Sequence, residues 1–141
     1  MLVNGENENL PKEHIPVLKQ QLAERINIPR DGLMLDATVG YGGHSFLFGE
    51  NLGPDGMILG LDVDESCITR AHINLSGLAC KVLLVRENFA RINEVAENHA
   101  VEKADFILAD LGFCSTQVSD PKRGLSFSEN MPLDMRLDDR I

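Results

Sequence analysis

Four short apolar runs recur along the chain, each closed by polar, turn-forming residues. They are Leu33-Met34-Leu35, residues 57–62, residues 81–86 and residues 104–110, all of strand length. The stretches between them carry helical spacing instead. Residues 14–26 place Leu18, Leu22, Arg25 and Ile26 on one side, with Pro16 in the first turn, where its missing donor costs nothing. Residues 45–52 predict a second helix. A third runs from Glu65 to Leu75, capped by Asp64, with Ile68, Ala71 and Leu75 facing inward and Gly77 ending it. A fourth is capped by Asn88 and continues to Asn98, burying Ile92, Val95 and Ala96. Pro29-Arg30-Asp31-Gly32 and Gly53-Pro54-Asp55-Gly56 read as turns. Strand and helix alternating at this spacing predict an α/β fold: a mostly parallel, doubly wound sheet with helices on both faces. The 81–86 run is nearly continuous in apolar residues, as in a strand covered on both sides.

Parallel strands share one carboxyl edge, and three of these runs end in Asp36, Asp62 and Asp110. Asp36 opens the stretch Asp36-Ala37-Thr38-Val39-Gly40-Tyr41-Gly42-Gly43-His44-Ser45, a glycine-rich link from strand to helix. Such a loop lets backbone approach a ligand closely beside the free N–H groups of a helix start. A dinucleotide fingerprint counted from Gly40 requires glycine at position 45, where Ser45 stands. Asp36 would also repel a pyrophosphate in a low-dielectric crevice. A cofactor with an ammonium and a sulfonium would be attracted, and S-adenosylmethionine (SAM) carries both. Asp62 then stands where a carboxylate accepts ribose hydroxyls. The plainer alternative for Asp36 and Asp62 is a strand-end turn or helix cap. A nicotinamide-type oxidoreductase is disfavoured by Asp36 and Ser45.

Composition narrows the picture further. At 141 residues, 43% hydrophobic and 25% charged, the chain suits one globular domain. No apolar run is of membrane-spanning length. Residues 1–13 are acidic and polar, so they read as a flexible tail and not as a signal or transit peptide, and a cytoplasmic location is the expectation. Cys67, Cys80 and Cys114 are odd in number and form no C-x-x-C pair, so they predict buried thiols, with neither a metal site nor a disulfide framework. Of His14, His44, His72 and His99, only His44 falls in the glycine loop. A net charge of −9 weighs against gripping a polyanion over a broad surface. Residues 111–141, rich in Ser, Asp, Pro, Gly and Met, read as one long loop.

The glycine-loop stretch, Asp110-Leu111-Gly112-Phe113-Cys114-Ser115, Gln117, Asp120-Pro121, Arg123-Gly124-Leu125-Ser126-Phe127 and Pro132-Leu133-Asp134-Met135-Arg136-Leu137-Asp138 together resemble the ribosomal RNA small subunit methyltransferase H family. The resemblance covers nearly everything from His14 onward. It implies a Rossmann-like class I SAM-dependent methyltransferase fold, and methyl transfer from SAM to the N4 amine of a cytidine in small-subunit ribosomal RNA. It further implies that Gly42, Gly43 and His44 cradle the methionine end of the cofactor, that Asp62 takes the ribose and that Phe89 lies near the adenine, while Asp36 and Gly40 complete the expected cofactor-binding set. Asp110 and Gln117 would close the pocket beside the sulfonium and the base. Asp110 is the implied proton acceptor, with Ser115 as helper, and no metal is needed. Lys122 and Arg123, solvated surface on composition, are placed by the family against the active site.

The chain departs from the family at Phe113 and Cys114, where Val and Ser are usual, and at Leu125, where Phe is preferred. A ring at position 113 would stack on a base or crowd the pocket. It also ends after about four of seven strands, where the family inserts its RNA-holding region. The division expected is a tail over 1–13, a SAM-binding half-domain over 14–110 and an active-site loop over 111–141 leading into that insertion. A fragment of a longer enzyme and a natural truncation both fit. In the second case the chain is a catalytically inactive SAM-binding or interaction module, or pairs as a homodimer through an exposed sheet edge. The partner implied for the enzyme is the ribosomal RNA or the assembling small subunit, with no membrane.

Overall fold

The computed structural model describes residues 18–128 and 130–141. Its centre is a four-stranded, all-parallel sheet: β1 (Leu33–Asp36), β2 (Met57–Asp62), β3 (Lys81–Arg86) and β4 (Phe106–Leu108), in the order β3-β2-β1-β4. The helices are α1 (Lys19–Arg25), α2 (Gly43–Gly49), α3 (Glu65–Leu75), α4 (Ile92–Asn98) and α5 (Ser115–Ser119), with a 3-10 turn at Phe89–Arg91 before α4. None of the described helices is long and apolar enough to cross a membrane.

The period-two alternation of the strands divides the core into two layers. Met34, Ile58, Val82, Phe106 and Leu108 face α1, α2 and α3, packing with Leu22, Phe48 and Leu52 and, farther along, with Ala71 and Leu75. Leu33, Leu35, Leu59, Leu61, Leu83 and Val85 face the other way, onto Ile92 and Val95 of α4. The chain therefore winds outward from β1 through β2 to β3 on one face, then returns by α4 over the other face to β4. This is the doubly wound fold that the alternation predicts. Its winding reverses between β1 and β4, the position where open α/β sheets form ligand crevices. The backbone parts there: the Ala37 N–H reaches Leu108 O on the β4 side, and the Val39 N–H reaches Leu61 O on the β2 side, both at 2.8 Å.

Several boundaries differ from the sequence expectation, each for a tertiary reason. The 1–13 tail and the helix opening at 14–17 lie outside the described residues. Leu18 has φ 56° and is exposed, so only Leu22 and Ile26 of the expected apolar face reach the core. Helix α2 begins two residues before Ser45, because Gly42 caps it in the left-handed region. Strand β3 is an edge strand, so helices touch both its faces without fully burying either. Helix α3 turns Cys67 inward beside Ala71 and Leu75, while Ile68 is only half-buried. Strand β4 covers three residues and not seven, and the N–H of Asp110 goes to the Thr38 side chain instead of a sheet partner. The 111–141 segment, expected as loop throughout, contains α5.

Candidate functional site

The carboxyl ends of β2, β1 and β4, where open α/β sheets form ligand crevices, are neighbours in the sheet although β4 is distant in sequence. Asp36, Asp62 and Asp110 are thereby brought to one edge. They are not equivalent.

Asp36 is 1% exposed and turned inward. It accepts hydrogen bonds from the Ser45 hydroxyl at 2.7 Å and the Thr38 N–H at 3.2 Å. Burial pushes its carboxyl up to about 6 against an ordinary 3.8, the Ser45 and Thr38 bonds offsetting part of the effect. Its direct partners are thus the two ends of the glycine loop. Sequence reading assigned no partner to the Ser45 hydroxyl, which ties the first turn of α2 to β1.

Asp62 is half-buried at the end of β2. One oxygen accepts the Gly40 N–H at 2.9 Å and the other the Asp64 N–H at 2.9 Å. Burial also raises this carboxyl, against those two bonds. Because an ionised carboxylate offers about four acceptor sites, these two leave capacity for further donors. The glycine loop bends over this carboxylate with Gly40 at φ 52° and Gly42 at φ 85°. A Cβ at Gly42 would lie 3.1 Å from Leu75 of α3, so both conformation and space require glycine there.

Asp110 lies two residues past β4, its side chain 47% exposed. Its N–H donates to Thr38 Oγ1 at 2.7 Å, and one carboxylate oxygen stands 3.6 Å from Nε2 of the buried His44. Gly43 and His44 form the first turn of α2, so the loop, His44 and Asp110 come together at this edge. Phe89 is half-exposed at the start of the 3-10 turn after β3.

Gln117, expected beside the sulfonium and base, is tied to the body of the domain. It is 6% exposed and its amide is used internally. Its oxygen accepts the Cys114 N–H at 2.9 Å, closing a capping box on α5, and its nitrogen donates to Asp64 at 2.8 Å. Ser115 opens α5, and the structure describes nothing of its side chain.

Asp64, read from the sequence only as the cap of α3, is a hub and 2% exposed. It caps α3 through the Ser66 N–H at 2.9 Å and accepts the Ser66 hydroxyl, Gln117 and the Arg123 guanidinium, the last at 2.7 Å. Burial alone would raise this carboxyl. The Ser66, Gln117 and Arg123 contacts outweigh it and hold the group below the usual range. Arg123 is correspondingly not solvated surface: it also reaches Asp120 and the carbonyls of Arg136 and Leu137. The 120–138 segment is folded around it, and Gly124 has φ 64° with Pro132 O only 1.7 Å from where a Cβ would be. A second tie joins Tyr41 of the glycine loop to Thr116 of α5 by a hydroxyl contact of 2.5 Å. Among the described residues no group of three or more His, Cys, Asp or Glu side chains is placed to hold a metal ion.

The sequence model of the MraW methylase family matches residues 11–140. Ribosomal RNA small subunit methyltransferase H 2 of Agathobacter rectalis is 39% identical over 129 residues, which are 91% of this chain and 41% of that protein. Ribosomal RNA small subunit methyltransferase H of Syntrophobacter fumaroxidans is 40% identical over 126 residues, 89% of this chain and 40% of its own length. The protein of the same name from Clostridioides difficile is 39% identical over 127 residues, 90% and 41% respectively. The chain spans about two fifths of the length of the curated relatives it matches.

Proposed function

The chain belongs to the MraW methylase family, and from that premise we propose that it is the cofactor-binding part of a SAM-dependent methyltransferase acting on the N4 amine of a cytidine in small-subunit ribosomal RNA. Relatives named ribosomal RNA small subunit methyltransferase H support the substrate class. The observation that carries the cofactor reading is the joint made by the Gly40 N–H on Asp62 at 2.9 Å, which holds an open backbone loop over a carboxylate with acceptor sites to spare. SAM fits this arrangement. Gly42 and Gly43 offer close backbone approach, Asp62 accepts ribose hydroxyls, and the half-exposed Phe89 takes the adenine. Asp36 acts from beneath the loop, fixing Thr38 and Ser45 and adding negative charge below the cationic end.

Once bound, SAM supplies a methyl group already activated by its sulfonium leaving group. What the chain adds is placement and proton acceptance. The lone pair of a cytosine amine is delocalised into the ring, so the amine is a weak nucleophile. Asp110, held by Thr38 and facing the crevice, accepts a hydrogen bond from that amine, localises the lone pair and takes the proton. His44, beside the Asp110 carboxylate, restricts its orientation. Ser115 assists from the start of α5, and Gln117 positions that helix through Asp64.

The net charge of −9 favours a second reading, in which the chain binds the cofactor but holds RNA only together with other surface. One experiment separates the two. Undermethylated small subunits are incubated with the chain and SAM labelled in its methyl group, and the RNA nucleosides are resolved chromatographically. Label in N4-methylcytidine, lost in Asp110→Asn, supports the enzyme. Unlabelled RNA beside retained SAM binding supports the module.

A further inference from the structure

We propose that Asp64 is a positioning residue that couples Asp62 to the 114–123 segment, so that a ligand held by Asp62 and the docking of that segment strengthen each other. The two backbone donors on the Asp62 carboxylate both lead to this segment. Oδ1 of Asp62 accepts the Asp64 N–H and Oδ2 the Gly40 N–H, each at 2.9 Å. The Asp64 side chain in turn receives the segment, its Oδ2 accepting Gln117 Nε2 at 2.8 Å and Arg123 Nη2 at 2.7 Å. Tyr41, next after Gly40, shares a hydroxyl contact of 2.5 Å with Thr116, and its carbonyl accepts the Asn74 amide of α3 at 2.8 Å. Both grips on Asp62 therefore lie within one residue of a tie to the segment.

The two oxygens of Asp64 divide their partners. Oδ1 turns to α3, accepting the Ser66 N–H at 2.9 Å and the Ser66 hydroxyl at 2.7 Å. Oδ2 turns to the segment. Arg123 also reaches Asp120 and the carbonyls of Arg136 and Leu137, all at 3.3 Å, and Gln117 accepts the Cys114 N–H at 2.9 Å. The two anchors on Oδ2 thus gather the residues around them, and the segment docks as a unit. The Asp64 and Arg123 side chains are only 3% and 19% exposed. Releasing the segment would leave a buried carboxylate without its cation, a costly state that the 62–64 turn relieves by shifting toward water. The Asp64 N–H on Asp62 shifts with it.

The inference rests on the proposed function, which assigns Asp62 to the ribose. Coupling between two such events is reciprocal: the factor by which docking raises ligand affinity is the factor by which ligand lowers the undocked fraction. Such factors commonly run from about 5 to 150. A residue that only stabilised the fold would leave both quantities unchanged while the chain stays folded.

The full chain is digested briefly with trypsin, with and without S-adenosylhomocysteine, and calorimetric titration with the same ligand gives its affinity. Cleavage after Arg123 reports undocking, because its guanidinium must leave Asp64 to enter the protease. Cleavage after Lys103, exposed in the link from α4 to β4, is the internal reference. Saturating ligand should slow cleavage after Arg123 by about tenfold and leave Lys103 unchanged. Asp64→Asn keeps the backbone N–H on Asp62 and an oxygen for the Ser66 N–H, but turns an amide nitrogen to Gln117 and Arg123. It should speed cleavage after Arg123 and weaken the ligand by about the same tenfold. Ser66→Ala, which removes only the hydroxyl on Oδ1, should do neither. Arg123→Lys, which keeps a cation on Asp64, should bind the ligand more tightly than Arg123→Gln. A parent chain that takes up no ligand defeats the proposed function and the coupling together. A parent that binds with undiminished cleavage after Arg123, a folded and opened Asp64→Asn that binds as tightly as the parent, or equal affinities of the two Arg123 variants and the parent would overturn the coupling alone.

Discussion

Replacing Asp36 by asparagine separates the charge of the β1 acid from its shape. Asp36 is 1% exposed, and burial holds its carboxyl at about 6 instead of 3.8. Between those values the folded chain retains a proton that the unfolded chain has released, so the contribution of this group to stability falls as pH rises. A shift of this size corresponds to about 3 kcal/mol of penalty at neutral pH. Asparagine keeps an oxygen for the Thr38 N–H, and its amide nitrogen meets a Ser45 hydroxyl that turns to accept. The exchange of hydrogen bonds costs on the order of 1 kcal/mol. Asp36→Asn should therefore be more stable than the parent by about 1–3 kcal/mol near pH 7, with the advantage gone below about pH 4. Urea unfolding followed by circular dichroism measures this, since a chain with one Tyr and no Trp offers little fluorescence. Asp64, whose carboxyl is held low, has the opposite pH sign, but it is common to both proteins and cancels in their difference. A pH-independent difference, or a variant weakened more at pH 7 than at pH 4, would refute the reasoning.

Three further outcomes follow from the same geometry. Gly124→Ala places a Cβ 1.7 Å from Pro132 O at φ 64°, so the segment around Arg123 should open, seen as faster tryptic cleavage at Arg123 and Arg136 and a loss of about 2–4 kcal/mol. Arg123→Gln removes the cation from the buried Asp64, which keeps Ser66 and Gln117; a loss of about 1–3 kcal/mol at pH 7, shrinking as acid protonates Asp64, is expected in urea unfolding. Ile107, 60% exposed on the α4 side of β4, should tolerate lysine within about 0.5 kcal/mol, and a large loss in thermal unfolding would mean that this face is covered.

The sheet, its winding and the acidic edge were legible because they rest on local signals: apolar runs, caps such as Asp64, and aspartates at strand ends. The grouping of Asp36, Asp62 and Asp110 needed only the rule that parallel strands point one way, and the strand order then made them neighbours. What escaped reading depends on contacts between distant segments. Gln117 gave no hint that its amide would be used on Cys114 and Asp64, 53 residues back along the chain for the latter. Arg123 looked like surface because charged residues usually are, and only Asp64 beneath it explains its burial. Helix α5 is five residues long and has no periodicity to detect, its one trace being the three-residue spacing from Cys114 to Gln117.

The central claim is that the crevice over Asp62 binds an adenosyl-sulfur ligand, and calorimetric titration with S-adenosylhomocysteine tests it most directly. The chain should bind with a dissociation constant of order micromolar, and Asp62→Ala, checked by circular dichroism for an intact fold, should weaken binding at least about tenfold, or about 1.4 kcal/mol. A folded parent chain that takes up no ligand, or a variant that binds as well as the parent, would contradict the account.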